Sequence, residues 1–177
     1  YSLILFITGV LMSCGAPNAK FLSAVEKLEE IIKKSEQELQ MADTSKIGNY
    51  LRISNENLKF IQDNFKDTIG KETAILFSDY SASKKSLKMF LENYNDVMKE
   101  LSYSKTQLYS MKTDIDNNLM PEDKFTDYYS SESKSVEKLQ ELVQNLVQWY
   151  DSALKMYEAK SPAVEKIISQ LKQNHRI

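Results

Sequence analysis

Few side chains in this chain can do acid–base, nucleophilic or metal chemistry, and their placement suits it poorly. Histidine occurs once, at His175, close to the end of the 177 residues. A fraying terminus is a poor seat for a general base. Cys14 is the single cysteine, so no disulfide can form within one chain. Acids are plentiful, at 25 Asp and Glu. A carboxylate-bridged di-metal site in a bundle, however, needs Glu-x-x-His on two helices, and one histidine cannot supply both. Glu132 is the acid whose spacing best allows it to project inward; the plainer reading places it near a bundle end, in water. Glu29 with Lys33, and Glu30 with Lys34, are i,i+4 pairs worth tenths of a kcal/mol, marking a solvated face rather than a site. Gly48 and Gly70 stand alone, outside any phosphate-cradling loop. The expectation is a non-enzymatic protein, with no catalytic, cofactor-binding or metal-binding residues.

Charge narrows the partners further. The formal net charge is −2, and Arg52 and Arg176 are the only arginines. Nucleic-acid binding requires a clustered basic face, with Arg favoured for bidentate contacts, so nucleic acid is not an expected partner.

The elements that must position any site are helical. Only 4 Gly and 3 Pro punctuate the chain, too few for the turns of an all-β fold. From Leu76 the sequence keeps a four–three alternation: Tyr80, Ser83, Leu87, Phe90, Tyr94, Val97, Leu101, Ser104, Leu108, Met111 and Ile115. A heptad seam this long predicts one helix over about residues 71–118, roughly 70 Å in length. Asn117 and Asn118 end it and Pro121 opens the next helix. There the seam reads Tyr128, Ser135, Leu139, Leu142, Leu146, Trp149, Ala153 and Met156, beside a second row of Tyr129, Val136, Val143, Tyr150 and Tyr157. Ser161-Pro162 predicts a kink or restart.

The first segment carries Phe21, Val25, Leu28, Ile32 and Leu39, then resumes as Ile47, Leu51, Ser54, Leu58, Ile61 and Phe65. The two sets are out of phase by one residue, with Asp43, Thr44 and Ser45, all capping types, between them. Spans 18–66, 71–118 and 121–174 are nearly equal. Equal rods cover one another's apolar stripes from end to end, whereas two half-length helices leave apolar surface wet. The fold class expected is all-α: an elongated antiparallel three-helix bundle with coiled-coil-like heptads and a kinked first helix. A four-helix up-down bundle is the alternative.

The opening stretch decides location. Leu3 to Met12 is apolar except Thr8 and Gly9, about half of the ~20 residues a spanning helix needs. Its length suits the apolar core of a secretory signal peptide. Leu11-Met12-Ser13-Cys14 closes it, and this resembles the lipobox of bacterial lipoproteins: aliphatic, variable, small, Cys. The resemblance covers only the first 15 or so residues. It implies that residues 1–13 are a removed signal peptide, that the Cys14 thiol carries a diacylglyceryl group, and that its new amino group is a site of acylation such as palmitate. Residues 14–18 then form the lipidated cysteine and tether, and 19–174 the bundle domain. Signal peptides open with Met and basic residues; here Tyr1 precedes the apolar run with neither, so residues before Tyr1 are expected. The location implied is the bacterial cell envelope, bound to membrane through Cys14. Gly15 in place of Asp points to the outer membrane, facing the periplasm. With its thiol in a thioether, Cys14 is lost to Cys–His nucleophiles and zinc.

Ten tyrosines and Trp149 remain. Tyr80, Tyr94, Tyr128 and Trp149 read as core aromatics, or else as an aromatic groove; Tyr103 and Tyr109 lie off the main stripe, where exposed aromatics mark contacts. The expected role is a lipid-anchored scaffold, spacer or protein-binding module. The alternatives are a ligand- or client-holding chaperone-like protein and a membrane-active bundle. The last is disfavoured by Ser83, Ser104 and Ser135 in the seams and the absence of a long apolar run.

Overall fold

The computed structural model describes residues 17–65 and 69–174. Cys14 with its lipobox, and His175 with Arg176, lie outside the described residues. The protein is all-α: α1 (Pro17–Gln40), α2 (Thr44–Asn64), α3 (Lys71–Asp116) and α4 (Glu122–Asn174), with no strand among the described residues.

α3 is the spine. Its 46 residues rise about 70 Å. Tyr80, Ser83, Leu87, Phe90, Val97, Leu101, Ser104, Leu108, Met111 and Ile115 are all buried, as the four–three repeat predicts. Leu76 and Tyr94 are only partly covered, and Phe77 takes the buried place at the α3 start. The helix ends where asparagines announce it. Asn118 adopts φ 57°, the Leu119 N–H bonds the Asp114 carbonyl at 2.8 Å and the Asn118 N–H bonds Ile115 at 3.1 Å. This paired closure satisfies carbonyls the helix leaves free, and Asn tolerates the left-handed backbone it requires.

α4 returns antiparallel to α3. Its buried row is Val136, Leu139, Val143, Leu146, Ala153, Tyr157, Val164 and Ile168. Of the seam read from the sequence, Leu139, Leu146 and Ala153 are buried, but Tyr128, Leu142 and Met156 are exposed, and Val136, Val143 and Tyr157 of the companion row face the core in their place. α4 also runs unbroken through Pro162 instead of restarting. Proline forfeits the bond to the Glu158 carbonyl. The Ser161 hydroxyl, free of a capping duty, donates to the Glu165 carboxylate at 2.8 Å.

α1 and α2 lie one after the other along the α3–α4 pair and make no contact with each other. Their pairings with α3 fall in step as the chain advances: Asn18 with Ile115, Glu29 with Lys112, Glu36 with Lys105, Asn57 with Tyr80, Phe65 with Phe77. Against α4 the separation is 104 residues for Phe21–Phe125 on α1, and 107 and 108 for Asp43–Tyr150 and Tyr50–Glu158 from the break onward. The chain thus keeps its direction through residues 41–43 while its offset against α4 shifts by three to four residues. The break absorbs the extra residue between Leu39 and Ile47, both fully buried. Asp43 caps the restart, its Oδ1 accepting from the Lys46 N–H at 2.8 Å.

α1 and α2 differ in what they bury. α1 contributes Phe21, Val25, Leu28, Ile32 and Leu39, with Ser35 filling the seam. α2 buries only Ile47, Ser54 and Ile61. At the open end of α1, the Asn18 amide donates to the Ile115 carbonyl (3.0 Å) and to Asn118 Oδ1 (2.7 Å), and Phe21 stacks on Phe125 at 4.0 Å. The start of the described chain is thus clamped to the α3–α4 turn.

Candidate binding face

No group of three or more metal-competent side chains occurs among the described residues. No described helix is long and apolar enough to cross a membrane. Cys14 and His175 fall outside the described residues. Glu132 neither reaches the core nor sits free in water. It is half-buried on α4, in a shallow groove with Glu100, Ser135 and Lys138, and burial pushes its carboxyl above the ordinary range. Glu29, read as a partner of Lys33, reaches across to Lys112 at 3.5 Å.

The aromatics separate into two groups. One is internal and joins α2 to α3 and α4. Tyr50 stacks on Tyr157 at 4.3 Å, Tyr157 lies 5.6 Å from Tyr80, and the Asn57 amide donates to the Tyr80 hydroxyl at 3.1 Å. Ser54 and Ser83 turn their hydroxyls onto the Tyr50 and Tyr80 carbonyls, both at 2.7 Å. No buried side-chain polar atom among the described residues lacks a partner. Burial drives the Tyr157 phenol to about 12, with the neighbouring Tyr80 hydroxyl adding to the rise. A fully satisfied hydroxyl cluster of this kind sets the register of α2.

The other group faces outward. Exposed large apolar side chains recur at one heptad position on α3, at Ile75, Met89 and Tyr103, and at one on α4, at Tyr128, Leu142 and Met156. Tyr103 is 61% exposed and Leu142 44%. The two rows run side by side on the face turned away from α1 and α2. Ala82 lies with Met156, Asn93 and Val97 with Leu142, and Tyr103 with Ser135. Trp149 is drawn down between the crests by its indole N–H bond to the Ser86 hydroxyl, 2.9 Å. Between them the groove is floored by the buried Val97, Ser104, Leu139 and Leu146, with the exposed Asn93, Glu100, Lys138 and Asn145 along it. Charged neighbours are paired: Asp79 with Lys160 at 2.7 Å and Asp96 with Lys99 at 3.1 Å.

The sequence had marked Tyr103 as an exposed contact aromatic and, in Tyr128, Leu142, Trp149 and Met156, had found this outer row while reading it as core. Ile75 and Met89 were missed; their signal is the 14-residue spacing to Tyr103 at the position just before the buried seam.

A second concavity, of about 800 Å³, opens between α1 and α3 beside Lys33, Gln37, Thr106 and Tyr109. Its acids and bases neutralise one another, with Lys105 on Glu36 at 2.8 Å, so it selects neither anion nor cation. The chain matches no protein-family model, no curated protein and no solved structure.

Proposed function

We propose that this chain is a lipid-anchored, non-enzymatic helical rod of the bacterial cell envelope, serving as a scaffold or spacer that presents a protein-binding face. The observation that carries the reading is Leu11-Met12-Ser13-Cys14 placed just before the folded rod. Cys14 precedes Asn18 by four residues, a reach of at most about 14 Å. Asn18 is clamped on the α3 end, so an anchor at Cys14 holds the rod by one tip. The rest of the molecule then extends about 70–80 Å from that point. Two acyl chains give durable membrane attachment, at about 0.8 kcal/mol per buried CH₂. The outer membrane, with the rod in the periplasm, is the location we assign.

We count the bundle as three rods, with α1 and α2 as two segments of the first, because both advance in the same direction along α3 and α4. In native cells, radiolabelled palmitate is expected on the wild type and lost in Cys14→Ala, whose processing and membrane partitioning are also expected to change. Unchanged processing and partitioning in Cys14→Ala would defeat the reading.

A further inference from the structure

We infer that the turn joining α3 to α4 is a lipid-contact site, with Leu119 seated in the interface of a zwitterionic bilayer beside the anchor. Resting on the reading of Cys14 as a lipid anchor, this contact gives the membrane a second hold on the protein.

The fold leaves Leu119 unused. Its N–H bonds the Asp114 carbonyl at 2.8 Å, and the Asn118 N–H bonds the Ile115 carbonyl at 3.1 Å. In a helix ending of this kind, an apolar side chain at the position of Leu119 ordinarily folds back on the last helical turn. The residues that would receive it are Thr113 and Asp114, both polar, and Leu119 stays 68% exposed. Met120 beside it is only partly covered.

A single exposed leucine is ordinary. Its place selects its occupant. The Asn18 amide donates to the Ile115 carbonyl at 3.0 Å and to Asn118 Oδ1 at 2.7 Å, so the start of α1 is held against the residue next to Leu119. Cys14 lies four residues before Asn18, a reach of at most about 14 Å. Acyl chains on Cys14 therefore bring a bilayer surface to this turn. Ile75 is also exposed, but stands about 60 Å away along α3. Tyr128, exposed on α4, lies about 10 Å beyond Pro121. With the rod upright and Leu119 in the acyl boundary, that is headgroup depth, where a tyrosine keeps its ring against lipid and its hydroxyl in water.

Charge selects the headgroups. Asp116, Glu122, Asp123 and Asp127 are exposed around the turn and outnumber Lys20 and Lys124. An anionic surface repels that rim within a Debye length, about 8 Å at physiological salt, whereas a zwitterionic one does not.

The test uses the mature lipidated protein from native membranes, reconstituted in phosphatidylcholine vesicles. With the Cys14 thiol in a thioether, Leu119→Cys supplies the sole reactive thiol, and Ile75→Cys does the same at the far tip. Both positions are exposed, so the fold tolerates the change. Each variant carries an environment-sensitive nitrobenzoxadiazole dye. The Leu119→Cys label is expected to shift to the blue on reconstitution and to be quenched by nitroxide-bearing lipids several-fold more strongly than the Ile75→Cys label. In vesicles enriched in phosphatidylglycerol the shift is expected to shrink at low salt and to return at high salt. A Leu119→Cys label that stays in water on vesicles holding the acylated protein overturns this inference and leaves the anchor standing. An unacylated Cys14 in the mass spectrum of the native protein defeats the anchor, and this contact with it. Equal quenching of the two labels, or a shift indifferent to lipid charge, overturns the inference as well.

Discussion

Asp43→Ala tests whether residues 41–43 divide the first rod into units that open separately. The Asp43 carboxylate makes one capping bond, Oδ1 to the Lys46 N–H at 2.8 Å, in an exposed position. Its own N–H, held by the Tyr150 hydroxyl at 3.1 Å, survives the change. The loss is therefore one N-cap, about 1 kcal/mol. For a domain of this size that lowers the melting temperature by about 3 °C. Distribution is the sharper readout. α2 buries only Ile47, Ser54 and Ile61 and shares no contact with α1, so the cost falls on α2. Hydrogen exchange read by mass spectrometry is expected to speed up about fivefold across residues 44–64 and to stay unchanged across 17–40. Asp43→Asn, which caps equally well, is expected to restore protection. Equal loss of protection in α1 and α2 would refute the reasoning, because the two would then open as one unit. So would an unchanged melting temperature.

Other perturbations follow from the same geometry. Tyr157→Phe is expected to flatten the alkaline limb of the stability curve. The folded phenol is raised to about 12 against about 10 in the unfolded chain, so its stabilisation is complete below pH 10 and falls away between pH 10 and 12; urea midpoints across that range check it. Glu132→Gln is expected to stabilise the protein at pH 7. Burial raises this carboxyl, so the native form favours the proton that the unfolded chain has already released, and the gain is expected to vanish below pH 4 in chemical denaturation. Leu101→Ala and Leu87→Ala, both fully buried on the spine, are expected to cost 2–5 kcal/mol each by urea unfolding. Deleting Met41, which is exposed, restores a seven-residue step from Leu39 to Ile47; uniform exchange protection from α1 into α2 is the expected result.

The sequence was most legible where one apolar row stood alone. On α3 the four–three repeat is sustained from end to end while its apolar flankers, such as Met89, Leu91, Met98 and Tyr103, are scattered, and periodicity located the buried stripe almost residue for residue. On α4 two adjacent rows are equally apolar, Val136-Val143-Tyr150-Tyr157 and Tyr128-Leu142-Trp149-Met156. Periodicity gives the direction of a stripe but not which of its edges meets the partner helices, because that depends on the angle at which α3 arrives. The one-residue slip after Leu39 was visible as a phase change. That it lengthens a rod without folding it back is a matter of pairing with Lys105, Tyr80, Tyr150 and Glu158, residues 69 or fewer, or more than 100, positions away. The outer face was half legible for the same reason: its residues are noticeable for their size, and only the packing of α1 and α2 on the opposite side shows that none of the described helices covers them.

The clamp of Asn18 on the α3 cap also has a mechanical meaning. Tension on the chain start enters the bundle at that one point, pulling α1 lengthwise against α3 and α4. Its resistance is in shear: the amide bonds of Asn18, the Phe21–Phe125 stack, and the Glu26, Glu29 and Glu36 pairs to Lys112 and Lys105 are loaded together rather than one by one. The non-helical residues at 41–43 interrupt that load before it reaches α2. A tug strong enough to strip α1 would spend its first extension there, leaving the distal half, with its tyrosine cluster, still assembled.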